Sequence, residues 1–167
     1  MTEDFDNLTQ DLAINIKQGE LYLCFDLPDH GGFVLPALGV HEVIQKQIRE
    51  ITPIPNSSSM LLGATNLRGQ IIWVGYLARF LGLRASLNEI YNKSEISIIA
   101  IEDQGFILGL AIDSLIEIQW LDPEKMKSSS LLNPYILGDW LIQDQSKQIV
   151  RLLDYKKILH SKKWMLI

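Results

Sequence analysis

Two distant parts of this chain carry the same short pattern, and this repeat constrains the fold more than any other feature. The segments 32–35 (GFVL) and 105–108 (GFIL) each open a predicted strand directly after a turn. Each is followed by a second predicted strand with an acidic residue among apolar ones, Glu42 in the first half and Glu117 in the second. The repeat therefore predicts two related structural units.

Each half also ends in the same way, with a strand followed by a short helix, over 71–83 and 149–160. The remaining sequence consists of short alternating apolar runs separated by turn signals such as DQG at 103–105. The last helix begins after Asp154, a residue type that caps helix N-termini. Many short strands with short terminal helices predict a mainly β protein of two small barrels packed together.

The composition is that of a globular protein with one domain or two small subdomains: 167 residues, 47% hydrophobic and 21% charged. The net charge of −5 argues against non-specific binding to nucleic acid or anionic membranes, because both require a basic surface. Residues 1–11 are acidic and lack the basic start of a secretory signal. No apolar run approaches the ~20 residues that span a bilayer. We expect a cytoplasmic protein whose residues 1–16 form a flexible acidic arm.

The sequence offers little that predicts catalysis, a metal or a cofactor. His30, His41 and His160 are scattered without the spacing of metal ligands, and no nucleotide-binding or nucleophile motif is present. Cys24 lies in an apolar run, which favours a buried structural thiol over a reactive one. Asp113 is flanked by apolar segments, where a turn carboxylate bonded to local N–H groups is favoured over an acid or base. The protein is therefore not expected to be an enzyme.

A polar cluster, NLRG at 66–69, stands between two strongly apolar segments. Gly69 is expected to supply a positive φ or a close backbone approach. Arg68 has two interpretations: it bonds within its own turn or to a carboxylate such as Glu42, or it is displayed to grip a partner.

The four tryptophans are ambiguous for a different reason. Core packing is the default for Trp73, Trp120, Trp140 and Trp164, but tryptophan is also favoured at protein interfaces. Trp164 lies in an apolar end after Lys163, where packing back onto the domain and contact with another protein are both open.

With its flanks, LGATNLRGQIIWVGYLARFLGL at 62–83 resembles the signature of the CheW family, the adaptors of bacterial chemosensory arrays. The segments VHEVI at 40–44 and GLAID at 109–113 are similar to further family segments in the same order. The resemblance covers about 17–160, which would form one domain followed by a tail at 161–167. It implies two interlocked five-stranded SH3-like barrels with short helices.

The resemblance also implies a non-catalytic adaptor that couples the cytoplasmic tips of methyl-accepting chemoreceptors to a CheA-type histidine kinase. In this family, Arg68 would lie at or near the receptor-contacting surface and its neighbours would hold the turn. Strand residues of that surface can also be core residues, the alternative for Val40 and Ile118. The implied partner-binding residues are Val40, Glu42, Asn66, Leu67, Arg68, Gly69, Ile98 and Ile118.

This chain departs from the family pattern just after the signature. Trp73 stands where members usually have proline, and Gly75 and Tyr76 replace an Ile-Asp pair. The tryptophan variant is similar to members from type IV pilus systems of twitching or phototaxis rather than flagellar chemotaxis. A small β-barrel that binds nucleic acid is the alternative function, although the acidic charge and the lack of a basic-aromatic patch oppose it.

Overall fold

A computed structural model describes residues 19–114, 116–142 and 148–166 of the chain. Ten strands dominate the described residues: β1 Glu20–Leu27, β2 Gly31–Pro36, β3 Val40–Gln47, β4 Leu61–Leu67, β5 Gln70–Tyr76, β6 Glu95–Asp103, β7 Phe106–Ile112, β8 Ile116–Leu121, β9 Ile136–Ile142 and β10 Gln148–Leu153. The α-helices are short: α1 Leu77–Phe80, α2 Leu87–Tyr91 and α3 Tyr155–Leu159. Single 3₁₀ turns occupy Ala37–Gly39, Ile48–Glu50, Pro123–Lys125 and Lys162–Met165.

The strands form two five-stranded sheets with the same internal order. The first sheet runs β8-β1-β2-β10-β9 and the second runs β3-β6-β7-β5-β4. Each sheet contains one parallel pair of strands, which joins two antiparallel groups. The parallel pair is β2 with β10 in the first sheet and β7 with β5 in the second. Strands β1 and β2, from the first half of the chain, thus hold the same places in the first sheet as β6 and β7, from the second half, hold in the second sheet.

Each sheet contains strands from both halves of the chain, so neither half closes a sheet by itself. The first sheet takes β1 and β2 from the first half, and the second takes β3, β4 and β5. The repeated pattern seen in the sequence falls on β2 and β7, the equivalent strands. The prediction of a mainly β fold with two interlocked five-stranded units is confirmed.

The main core lies between the two sheets. Phe33 and Leu35 from the first sheet pack in one cluster with Ile99 and Leu110 from the second, and all four are fully buried. Two smaller clusters belong to one sheet each, and one of them is centred on Trp140. A shared core of this kind makes the two sheets one cooperative unit, because burial of apolar surface is the dominant stabilising term.

The C-terminal segment packs back onto this core, which decides the alternative for Trp164. Its ring stacks on Phe80 with centroids 4.2 Å apart, and its Nε1 donates to the carbonyl of Ile158 at 2.8 Å. The ring lies directly over Gly75, where a Cβ would come within 2.3 Å of it. The absence of a side chain at Gly75 therefore makes room for the tryptophan.

None of the helices in the described ranges is long and apolar enough to cross a membrane.

Candidate partner-binding surface

The β4–β5 connection is a two-residue hairpin loop formed by Arg68 and Gly69. Leu67 pairs with Gln70, and the loop residues have φ values of 50° and 86°. Positive φ at both positions defines a type I′ turn, for which Asn-Gly is the favoured pair. Left-handed backbone at a residue with a Cβ costs roughly 1–2 kcal/mol. Gln104 and Gly105 form a similar turn between β6 and β7, with φ values of 52° and 80°.

One side-chain hydrogen bond and one buried side chain fix the conformation of this turn. The Asn66 side-chain oxygen accepts the backbone N–H of Gly69 at 2.9 Å. Leu67 is buried and packs with Ile72 and Ala100 in the small cluster of the second sheet. These contacts fix the turn and leave its arginine at the tip.

Arg68, in the turn that follows β4, pairs with Glu42 on β3, although β3 and β4 are the opposite edge strands of the second sheet. Its Nε donates to both carboxylate oxygens, at 3.0 and 3.2 Å. The hydrogen bond from Arg68 is the main reason that the pKa of Glu42 lies below its usual value. The Arg68 side chain nevertheless remains 79% exposed. The interpretation in which Arg68 pairs with Glu42 is therefore confirmed, and the interpretation in which it grips a partner stays a prediction.

A second charged contact adjoins this pair. His41, next to Glu42, places Nδ1 2.6 Å from a carboxylate oxygen of Glu102 on β6. Its other ring nitrogen lies 3.9 Å from Glu42 Oε1, the oxygen nearest Arg68 Nε. The surface is therefore a row of four ionisable groups, which we call the charged row: Arg68, Glu42, His41 and Glu102.

Three further residues are predicted to bind a partner, Val40, Ile98 and Ile118, and the structure does not place all of them beside the charged row. Val40 begins β3, two residues before Glu42, and is half-buried against the core. Ile98 is fully buried in the core, so its side chain does not lie on the surface and the contact expected of it is not available in this structure. The reason is that β6 is a central strand with both faces covered.

Ile118 is exposed but lies in the other sheet. It is 66% exposed on β8, an edge strand of the first sheet, opposite Leu23 of β1. Trp120, two residues further on the same face, is also largely exposed. These two side chains form an apolar edge separate from the charged row.

Sequence reasoning missed an apolar patch beside the arginine turn. Ile71 and Trp73 on β5 are exposed, as is Phe106 on β7. The parallel register that pairs Trp73 with Leu108 sets Phe106 beside Ile71. Every residue from Ile71 to Val74 is apolar, so no alternation marked which face would be covered.

Within the described ranges, no group of three or more His, Cys, Asp or Glu side chains is placed to hold a metal ion. Burial is the main cause that raises the pKa of the Cys24 thiol to about 11, so it is a poor nucleophile at neutral pH. Asp113 pairs with Lys93 at 3.4 Å.

Comparison with solved structures shows that this fold is similar to that of a scaffolding protein. The crystal structure of the scaffolding protein TtCheW from Thermoanaerobacter tengcongensis matches with a TM-score of 0.72 over 89% of this chain and 98% of that one. The two sequences are 20% identical, so this match concerns the fold. No curated protein matches significantly.

The family model of the CheW-like domain matches residues 21–163. The chain belongs to the CheW-like domain family.

Proposed function

We propose that this protein is a non-catalytic adaptor that couples methyl-accepting chemoreceptors to a CheA-type histidine kinase in a cytoplasmic signalling array controlling motility. The proposal rests on membership of a scaffold family together with the chemistry of the charged row. Trp73, which departs from the family pattern, favours an array of a type IV pilus system that drives twitching or phototaxis.

One observation carries the proposal: a mostly exposed arginine sits in a left-handed turn position that it fills at a conformational cost. Glu42 holds its Nε, so the orientation of the side chain is set before a partner arrives. Preorganisation of this kind lowers the entropy lost on binding. A guanidinium fixed at one end can still bond carboxylates or the C-terminal carbonyls of a partner helix through its terminal nitrogens.

The receptor surface in this proposal comprises the charged row with Val40, and Ile118 on the edge of the other sheet. The receptor tip of this proposal is helical, and a helix that lays its apolar face against an apolar surface is a common mode of recognition. The aromatic side chains of the patch, Trp73 and Phe106, suit a second protein partner, because large aromatic surfaces dominate interfaces. We assign that patch to the kinase.

A pull-down from native cell extract tests the proposal. Tagged protein should recover a histidine kinase and a methyl-accepting receptor together, with the tag alone as control. Nuclease treatment of the extract beforehand restricts recovery to contacts between proteins. Recovery of nucleic-acid-binding proteins that is lost after nuclease treatment, with neither signalling partner, would refute the adaptor proposal.

A further inference from the structure

The ion pair at the arginine turn shares an atom with a histidine. Glu42 Oε1 lies 3.0 Å from Arg68 Nε and 3.9 Å from His41 Nε2. The other histidine nitrogen, Nδ1, is 2.6 Å from Glu102 Oε2. A single carboxylate oxygen therefore faces two nitrogen groups, and one of them changes its charge with pH.

The protonation state of His41 decides what this oxygen meets. In the neutral ring, the contact with the Glu102 carboxylate requires the proton on Nδ1, which leaves Nε2 with a lone pair facing Glu42. In the imidazolium, Nε2 also carries a proton and attracts the same oxygen. The charge of the four groups changes from −1 to 0 as His41 gains its proton, since two carboxylates are then matched by two cations.

We propose that His41 is a proton-sensitive regulator of the Arg68 surface: its protonation draws Glu42 away from Arg68 and loosens the orientation in which the guanidinium is held for the partner. This regulation rests on the proposed function, because it concerns the same binding surface. Histidine is the side chain that ordinarily changes charge between about pH 5 and 8. Glu42 stays ionised throughout that range, because Arg68 lowers the pKa of this carboxyl group below its usual value.

The geometry is specific to His41 among the histidines. The described groups that face it are Glu42 on its own strand, Glu102 on β6 and, through Glu42, Arg68 on the turn. His41 is 39% exposed, so it exchanges protons with solvent directly. His160 offers a matched control: it contacts Asp103, the next residue of β6, at 2.8 Å without touching Glu42.

Carbon-detected NMR of the Arg68 guanidinium tests the switch without any partner. The full chain is titrated from pH 5.5 to 8, and the chemical shift of Arg68 Nε should follow a single titration. His160→Gln should keep this titration and His41→Gln should abolish it, because glutamine can still donate to Glu102 but cannot gain a charge. A titration that persists in His41→Gln, or none in the unaltered protein, overturns the proposal.

Binding of a receptor cytoplasmic fragment separates failure of the switch from failure of the proposed function. Affinity should fall roughly two- to fivefold from pH 8 to pH 6, the range of one exposed ion pair, because protonated His41 weakens the contact that orients Arg68, and His41→Gln should remove the difference. If the fragment does not bind at either pH while the NMR titration behaves as expected, the receptor assignment is wrong and the switch stands. A pH-independent affinity with normal binding would contradict regulation by His41.

Discussion

The β4–β5 and β9–β10 hairpins occupy equivalent places in the two sheets, yet they carry opposite chemistry. Their second strands share a pattern, QIIWVGY at 70–76 and QIVRLLD at 148–154. In the first hairpin Ala64 pairs with Trp73, whereas in the second Asp139 pairs with Arg151. The first hairpin places its charge at the turn and its aromatic side chain on the surface, and the second places a carboxylate inside.

Asp139 shows what an internally satisfied charge does in this fold. It is buried, and its two oxygens accept hydrogen bonds from the Ser129 hydroxyl and from the N–H and hydroxyl of Ser130. These bonds tie the loop before β9 to the sheet, so the carboxylate is structural. Arg68 is exposed with only part of its donor capacity used among the described residues, and this difference is why we assign partner binding to the first hairpin.

The largest expected effect comes from a glycine that occupies the equivalent position in each hairpin, Gly63 in β4 and Gly138 in β9. Gly63 lies against Thr52 and Gly138 against Lys127, and each of these neighbours forms an isolated β-bridge with the residue that follows the glycine. A Cβ on Gly63 would lie 2.1 Å from the carbonyl oxygen of Thr52, and its φ is 150°. We expect Gly63→Ala to lower the free energy of unfolding by roughly 3 kcal/mol or more, measured by urea denaturation.

Gly138→Ala is the matched comparison. There a Cβ would meet the carbonyl of Lys127 and the flexible side chain of Met126, each at 2.7 Å. Because the methionine can move and Gly138 has no positive φ, the loss should be smaller, about 1–2 kcal/mol. Equal losses for the two variants would show that the hairpins do not differ in backbone constraint.

The next effect concerns the internal carboxylate. Asp139→Ala removes the acceptor of the Ser130 N–H and of two hydroxyl groups, and we expect a loss of roughly 2 kcal/mol in the free energy of unfolding. Glu117→Ala, at an exposed position of β8, should change it by less than about 0.5 kcal/mol. A neutral result for Asp139→Ala would mean that water replaces its partners and that the loop is not held by this residue.

The sequence predicted the strand framework well because the repeat and its turn signals are local. The GFVL and GFIL segments fall on β2 and β7, and Asp154 caps α3 through the N–H of Lys157. The pairing of Arg68 with Glu42 was also accessible, because both are charged residues next to apolar strands. These features depend on few residues and on short-range rules.

The parts that were missed depend on distant contacts. Ile98 stands in the run ISIIAI at 96–101, where five of the six residues are apolar, so the pattern does not distinguish a core side chain from a surface one. The stack of Trp164 on Phe80 depends on the space above Gly75, which no local pattern marks. The role of Asp139 depends on serines nine and ten residues earlier that reach it only through the fold.

The central claim is that Arg68 contacts a partner and is not needed for the protein to fold. Titration calorimetry with a receptor cytoplasmic fragment and with the regulatory domain of the cognate kinase tests it directly. Arg68→Glu should weaken at least one of the two complexes by tenfold or more, and Arg49→Glu, at another exposed arginine, should leave both unchanged. The urea midpoint of unfolding of Arg68→Glu should stay close to that of the unaltered protein, since the pair is exposed. Unchanged affinity for both partners in folded Arg68→Glu would contradict the account.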